Sequence, residues 1–172
     1  MNAIVKRCSV AAVLAIAMLL PQFDELKTSE SGLRLIADLE GCRLSPYQCS
    51  AGVWTQGIGH TAGVVPGEIV SEARVAADLV SDIRRTEQGM AACLPPELPQ
   101  EIYDTAIAFA FNVGVKAACG STLAYFLQQR QWRQACDQLP RWIYIKGKTN
   151  KGLERRRETE RALCLKGIGS AR

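Results

Sequence analysis

The sequence predicts a mostly helical α+β fold, in which a small β lobe and a larger helical lobe flank a cleft, preceded by an N-terminal anchor helix. Three observations lead to this prediction: an uncharged apolar run near the N-terminus, a glycine-rich stretch with β-branched residues, and apolar residues at helical spacing afterwards. A chain of 172 residues suits one ordinary domain with a single core. The hydrophobic fraction of 48% and charged fraction of 22% exclude a disordered or multi-pass membrane protein.

The anchor is predicted from residues 8–23, which carry no charge and follow Lys6 and Arg7. A cleaved signal peptide is disfavoured because residues 21–25, PQFDE, stand where small residues should precede the cleavage site. Sixteen residues at about 1.5 Å each reach about 24 Å, less than the roughly 30 Å of a bilayer core. The run is therefore a marginal anchor, and its basic flank predicts a cytoplasmic N-terminus with residues 24–172 outside.

The first helix of the folded part is predicted from Leu33, Ile36, Ala37 and Glu40, which share one face before Gly41 ends the helix. Desolvation and the helix C-terminus would both favour the protonated form of Glu40, as a general acid requires. The alternative is a buried glutamate in a structural ion pair, and the helix alone does not decide between the two.

The β lobe is predicted from a turn at residues 50–52 and from short bulged strands within residues 53–67, which would form a hairpin or a three-stranded sheet. Helical spacing then covers residues 71–93, up to the prolines at 95 and 96, and residues 100–114. Shorter helices should follow Ser121 and surround Trp132, and a last one should run from about Lys151 to Leu165.

Charge is unevenly distributed, because residues 141–172 hold ten Lys or Arg and three acids, whereas the rest of the chain is net negative. Nucleic acid is not expected as a partner, since glutamates interrupt the basic run and no RNA-binding or zinc-finger pattern is present. An anionic envelope polymer or a bilayer surface fits better. Seven cysteines without zinc-site spacing predict disulfides, an oxidising compartment, and no metal or cofactor.

Three motifs occur in order along residues 29–165. In the first, Glu40 is followed after eight residues by Cys49, after five more by Thr55, and then by GIGHT at 57–61. The second is AFAFNVG at 108–114 and the third is GLERRRETE at 152–160. Together they resemble the phage-type lysozymes, glycoside hydrolase family 24, whose pattern is Glu, eight residues, Asp or Cys, five residues and Thr, with two later signatures. The resemblance implies a lysozyme-like fold, and the N-terminus resembles that of signal-arrest-release endolysins, with residues 1–24 as signal anchor and 25–172 as catalytic domain.

This resemblance implies hydrolysis of the β-1,4 bond between N-acetylmuramic acid and N-acetylglucosamine in peptidoglycan, with Glu40 as the acid and Thr55 orienting water. Cys49 stands where the best-known members have Asp, and it could stabilise the transition state, activate the water or attack as a nucleophile. His60 is expected to hold the β lobe by hydrogen bonds rather than to act as a base. Asn112 is expected to make a helix-end or core contact.

A regulatory disulfide is the next expectation, since a bond between Cys42 and Cys49 would mask the active thiol. The intervening LSPYQ, residues 44–48, is expected to turn and bring the two sulfurs together. Cys8 would be withheld by the bilayer until release, and could then attack Cys42 and liberate Cys49. The alternative is a fixed staple between Cys42 and Cys49. Two structural bridges, in three possible pairings, remain for Cys93, Cys119, Cys136 and Cys164.

Two further functions compete with the lysozyme hypothesis: a thiol hydrolase using Cys49 and His60, and a non-catalytic module that binds the wall through the basic C-terminal helix. We expect a monomer that acts on peptidoglycan glycan strands. It would be held in the host inner membrane by residues 8–23, with its catalytic domain in the periplasm, and then released there.

Overall fold

The computed structural model describes residues 6–49 and 52–170, so Ser50 and Ala51 of the predicted turn lie outside the described residues. The chain divides into two compact units, Met1–Arg85 and Thr86–Arg172, and both contain buried apolar residues. The division falls inside one helix, which begins in unit 1 and ends in unit 2.

The α-helices are α1 (Val10–Met18), α2 (Glu30–Glu40), α3 (Glu72–Met90), α4 (Gln100–Val113), α5 (Val115–Cys119), α6 (Thr122–Gln128), α7 (Trp132–Cys136) and α8 (Lys151–Ser170). The strands are β1 (Arg43–Gln48), β2 (Trp54–Gly57), β3 (Tyr144–Ile145) and β4 (Lys148–Thr149). Short 3₁₀ helices cover Pro21–Glu25 and Leu139–Arg141. The mostly helical α+β fold is therefore confirmed.

Unit 1 is built on α1, α2 and the start of α3, and a β-hairpin formed by β1 and β2. Ser29 caps α2 by accepting a hydrogen bond from the Gly32 amide, and Gly41 ends the helix at a φ of +71°. The fully buried apolar residues of this unit come from all three helices and from the turn after β2: Val13, Leu14, Ala17, Leu33, Ile36, Ala37, Ile58, Val75, Ala76, Leu79, Val80 and Ile83.

The hairpin differs from the sequence prediction, because its first strand precedes the turn instead of following it. The segment LSPYQ, expected to turn, lies inside β1, and the strand register shifts between Arg43 and Tyr47. Pro46 cannot donate a ladder hydrogen bond, and such an irregularity is where a strand tolerates proline. The turn residues Ser45 and Pro46 thus mark a bulge. In the described part of residues 53–67, β2 is the one strand.

The N-terminal segment folds as part of unit 1. Ser9 caps α1 by accepting from the Ala12 amide, and Val13, Leu14 and Ala17 are buried. Its nine residues are far shorter than a bilayer span, and none of the helices in residues 6–49 and 52–170 combines enough length with enough apolar character to cross a membrane.

Unit 2 is organised around α4, where Ile102 and every residue from Asp104 to Ala110 are buried, and α6 and α7 also contribute buried residues. Phe109 of α4 meets the ring of Trp142 edge to face, with centroids 5.1 Å apart. The disulfide Cys93–Cys119 joins the segment after α3 to α5, and Cys136–Cys164 joins α7 to α8, which is one of the three predicted pairings.

A buried ion cluster on α8 is the main polar feature of unit 2. Glu160 is fully buried, and its carboxylate accepts hydrogen bonds from both Arg156, at 2.9 Å, and Arg157, at 2.5 Å. Arg157 also donates to the Trp142 carbonyl and to Asn112 at the end of α4, which confirms the helix-end contact predicted for Asn112. The cluster therefore fastens α8 to α4 and to the segment before β3.

Replacing Glu160 with Gln should lower the free energy of unfolding of the oxidised protein by about 3–5 kcal/mol, because two buried guanidinium groups would lose their counter-charge. Glu158→Gln is the matched control, since Glu158 is exposed on the same helix and should change stability by less than about 0.5 kcal/mol. Urea unfolding with the disulfides intact measures both. Equal stability of the two variants would contradict the importance of the cluster.

Candidate active site

Glu40 is the last residue of α2, and its partly buried side chain lies where the helix gives way to β1. The helix ends there because the Gly41 amide bonds back to the Ala37 carbonyl and Gly41 adopts a left-handed conformation that glycine accepts at little cost. Only Gly41 and Cys42 separate Glu40 from the first residue of β1. The carboxyl is therefore held at the base of the hairpin.

Cys49 directly follows β1, at the entrance to the hairpin turn. Its amide donates to the Val53 carbonyl at 3.0 Å, and its carbonyl accepts from the Gly52 amide at 2.8 Å. These bonds fix the backbone of Cys49 on both sides. The side chain is partly exposed, and Cys49 is the one cysteine of the seven, all of them described, outside the three disulfide bonds.

Thr55 lies in β2 and is 5% exposed. Its hydroxyl donates to the Val53 carbonyl at 3.1 Å. Because a hydroxyl has one hydrogen and two lone pairs, Oγ1 keeps acceptor capacity after this bond and can receive a hydrogen bond from water. The antiparallel register sets Thr55 opposite Tyr47, two residues before Cys49.

Tyr47 is a site residue that the sequence analysis missed. Burial raises the pKa of its phenol above the ordinary 10.0, the charges of Glu40 and Cys49 raise it further, and Arg43 acts in the opposite direction. The Arg43 guanidinium lies 4.3 Å from the centre of the Tyr47 ring. The phenol therefore stays protonated at neutral pH. Its position two residues before Cys49, on an alternating strand, was the available signal.

His60 has a structural role. Nδ1 lies 2.7 Å from a carboxylate oxygen of Asp82, and Nε2 lies 2.7 Å from the Ala62 carbonyl, which can only accept a hydrogen bond. With both ring nitrogens engaged and the residue 6% exposed, His60 joins the turn after β2 to α3. The prediction that it holds the β lobe is confirmed.

The third disulfide joins Cys8 to Cys42, with Cα atoms 5.3 Å apart. Cys8 precedes α1, and Cys42 lies between Glu40 and β1. All three predicted members of the regulatory set, Cys8, Cys42 and Cys49, are thus in unit 1 with Glu40 and Thr55, and the structure holds the Cys8–Cys42 pairing instead of Cys42–Cys49.

Comparison with known sequences defines the family. The sequence model of the phage lysozyme family, "Phage lysozyme", matches residues 37–160, which include Glu40, Cys49 and Thr55. The SAR-endolysin of Escherichia phage P1 is 33% identical over 181 residues, covering 94% of this chain and 92% of that protein. The chain belongs to the phage lysozyme family. A SAR-endolysin of Haemophilus phage HP1 (strain HP1c1) is also 33% identical, covering 92% of this chain and 94% of that protein.

Solved structures agree with this assignment. The active form of the phage P1 endolysin superposes with a TM-score of 0.84 at 33% identity, covering 95% of this chain and 97% of that chain. The secreted inactive form of the same endolysin gives a TM-score of 0.57 at 35% identity, covering 82% and 97%. This phage lysozyme is therefore an endolysin with muramidase activity and the lysozyme-like fold.

Proposed function

We propose that this phage lysozyme cleaves the β-1,4 bond between N-acetylmuramic acid and N-acetylglucosamine with Glu40 as general acid, and with Thr55 and Cys49 acting on the attacking water. The observation that carries this proposal is the hairpin itself: Thr55 is opposite Tyr47, two residues before Cys49, and only Gly41 and Cys42 separate Glu40 from the first strand. A carboxyl group to protonate the leaving oxygen, and a second group to handle the nucleophile, are what glycoside hydrolysis requires.

The Thr55 hydroxyl supports a water route. Because its hydrogen is donated to the Val53 carbonyl, Oγ1 would accept one hydrogen of the water, and the Cys49 thiolate would accept the other. A lone pair of the water oxygen then points at the anomeric carbon, and Glu40 protonates the departing glycosidic oxygen. Direct attack by water inverts the anomeric centre, so Cys49 acts as base and not as nucleophile in this proposal.

The thiol hydrolase hypothesis finds no support at His60, whose ring nitrogens are engaged by Asp82 and the Ala62 carbonyl. The hypothesis of a non-catalytic wall-binding module is set aside by the muramidase assignment. Peptidoglycan strands remain the substrate, and the charge excess of residues 141–172 suits an anionic envelope.

We also propose that the chain is exported on residues 8–23 as a membrane-tethered, inactive form, with its N-terminus in the cytoplasm and its catalytic domain in the periplasm. The names of the SAR-endolysin relatives support this. In the structure, α1 is folded into unit 1 and Cys8 is bonded to Cys42, an arrangement that only a released N-terminus can reach. The higher similarity to the active than to the inactive form of the phage P1 endolysin agrees with a released, active state.

Glu40→Gln preserves the shape of the side chain but cannot donate the proton, so we expect glycan cleavage to fall at least about 100-fold while wall binding persists. Release of reducing sugar ends from purified peptidoglycan measures cleavage, and co-sedimentation measures binding. Asp38→Asn is the matched control, since Asp38 is exposed on the same helix. Near-normal cleavage by the Gln variant would rule out Glu40 as the acid.

The anchor can be tested at Ala11 and Ala15, which face solvent in the folded enzyme, whereas Ala17 is buried and must not be enlarged. Leu at both exposed positions adds about 0.3–0.6 kcal/mol of insertion preference per residue, so membrane release and lysis should be delayed. Ser at the same two positions should hasten release. Membrane fractionation over time measures both, and equal release of the Leu, Ser and wild-type proteins would refute the marginal anchor.

The disulfide lock predicts opposite effects for two serine variants. Cys8→Ser should leave Cys42 bonded to Cys49 after export, giving a folded enzyme that is inactive until a mild reductant is added. Cys42→Ser should expose the Cys49 thiol from the start. Peptide mapping of non-reduced protein, combined with cleavage assays, measures both. A fully active enzyme with an intact Cys42–Cys49 bond would exclude the lock and the catalytic role of Cys49.

A further inference from the structure

We propose that residues 6–9 form a docking strand for the segment from Cys42 to Leu44 at the start of β1, that Glu72 receives the end of this strand, and that the docking register selects Cys42 as the sulfur that Cys8 attacks. This inference rests on the proposed function, in which the Cys42–Cys49 bond is exchanged for Cys8–Cys42. It adds a non-covalent recognition step that steers the exchange and a positioning residue that the catalytic proposal does not use.

The docking strand is paired with the segment from Cys42 to Leu44 by backbone hydrogen bonds. The Leu44 amide donates to the Lys6 carbonyl at 2.8 Å, the Cys8 amide lies 3.4 Å from the Cys42 carbonyl, and Arg7 is the antiparallel partner of Arg43. These contacts hold the main chain of residues 6–8 against residues 42–44. They depend on main-chain groups, so the edge of β1 recognises the extended shape of the segment more than its side chains.

The register of this pairing sets which sulfur Cys8 faces. With Arg7 opposite Arg43, Cys8 falls directly opposite Cys42, and their Cα atoms are 5.3 Å apart. Side chains alternate between the faces of a strand, so a slip of one residue would turn the Cys8 sulfur away from Cys42. A Cys42–Cys49 bond needs Cα atoms within about 7 Å, so residues 45–48 would extend as in β1 only after the exchange, and the docking segment at the moment of attack is Cys42–Leu44.

Glu72 fixes the other side of Cys8. The Ser9 amide donates to Glu72 Oε1 at 2.8 Å, and Ser9 is also the N-cap of α1, where a carboxylate is favoured by the helix dipole. Glu72 is itself held near β1, because the Val70 amide donates to the Leu44 carbonyl at 3.1 Å. Leu44 therefore binds the docking strand through its amide and the segment leading to Glu72 through its carbonyl.

The reaction that the docking positions is a thiol–disulfide exchange, which needs no added oxidant because one disulfide replaces another. The Cys8 thiol loses its proton to solvent, and the thiolate attacks Sγ of Cys42. The Cys8–Cys42 bond forms as the Cys42–Cys49 bond breaks, and Cys49 leaves with the electron pair as a thiolate. Attack on Cys49 instead would give a Cys8–Cys49 bond and keep the active-site sulfur blocked. Activation therefore depends on which sulfur Cys8 attacks as well as on the rate of attack.

The test uses the full-length protein, extracted from membranes with detergent at acidic pH, where thiolate formation and exchange are suppressed. Exchange is started by a jump to neutral pH, stopped with an alkylating agent, and followed by non-reduced peptide mapping of Cys8–Cys42, Cys42–Cys49 and Cys8–Cys49. Glu72→Ala should slow formation of Cys8–Cys42 about five-fold, as expected for the loss of one charge-assisted hydrogen bond. Glu72→Gln, which can still accept from Ser9, should lie between this variant and wild type.

Two matched controls separate docking from general effects. Glu68→Ala removes an exposed carboxylate four residues earlier and should leave the rate within about two-fold of wild type. Ser9→Pro removes the amide that donates to Glu72, and should both slow exchange and raise the share of Cys8–Cys49. Ser9→Ala loses the same side-chain cap but keeps the amide, and should retain the wild-type product ratio.

The outcomes distinguish this inference from the proposed function. If wild-type protein converts Cys42–Cys49 to Cys8–Cys42 but all Glu72 and Ser9 variants do so at the wild-type rate and ratio, the docking inference is wrong and the lock stands. If wild-type membrane-bound protein never contains the Cys42–Cys49 bond, the lock itself is wrong, and the inference falls with it. If Glu72→Ala does not fold, Glu72→Gln and the pair of Ser9 variants still decide the question.

Discussion

The hydrogen bonding of β1 along both of its edges is the constraint on which unit 1 depends. One edge pairs with β2 and brings Tyr47 opposite Thr55, with Cys49 at the end of the strand. The other edge, at Leu44, is bonded to Lys6 and to Val70. One edge of this short strand therefore pairs with the strand that holds Thr55, and the other edge pairs with the N-terminal segment. Loss of the hydrogen bonds along one edge should therefore also shift the residues paired along the other edge, because both edges belong to β1.

The junction between α2 and β1 adds the acid to this arrangement. Gly41 has a φ of +71° and a ψ of 179°, a region that is essentially restricted to glycine and would cost a residue with a Cβ about 1–3 kcal/mol, and it lets the chain leave the helix directly after Glu40. Because Cys42 is the next residue, the proposed proton donor and the central sulfur of the proposed switch are two positions apart. In this proposal, regulation and catalysis share the same few residues.

Unit 2 is stabilised by different means. Two disulfides close loops across the chain between Cys93 and Cys164, and they lower the entropy of the unfolded state in an oxidising compartment. The buried pairing of Glu160 with Arg156 and Arg157 is sensitive to the loss of its carboxylate, because guanidinium groups without a partner are costly to bury. The signature GLERRRETE, which resembled the family in the sequence, supplies the three buried side chains of this cluster, Arg156, Arg157 and Glu160.

Sequence by itself determined the parts of this protein that depend on local rules. Helical spacing of apolar residues located α2, α3 and α4, Gly41 and Gly114 marked two helix ends, and the Glu40, Cys49 and Thr55 spacing identified the family. The seven cysteines predicted disulfides, but local rules cannot choose among pairings of residues far apart in the chain.

Tertiary structure decided what depends on register and on long-range contact. Pro46 suggested a turn, yet pairing with β2 drew it into a bulged strand, and only that pairing placed Tyr47 opposite Thr55. The bond from Ser9 to Glu72 joins residues 63 positions apart, and no pattern within a helix or strand foretells it. The composition of residues 8–23 indicates insertion into a membrane. The tertiary structure adds that part of this run packs inside the protein, because Val13, Leu14 and Ala17 are buried in unit 1.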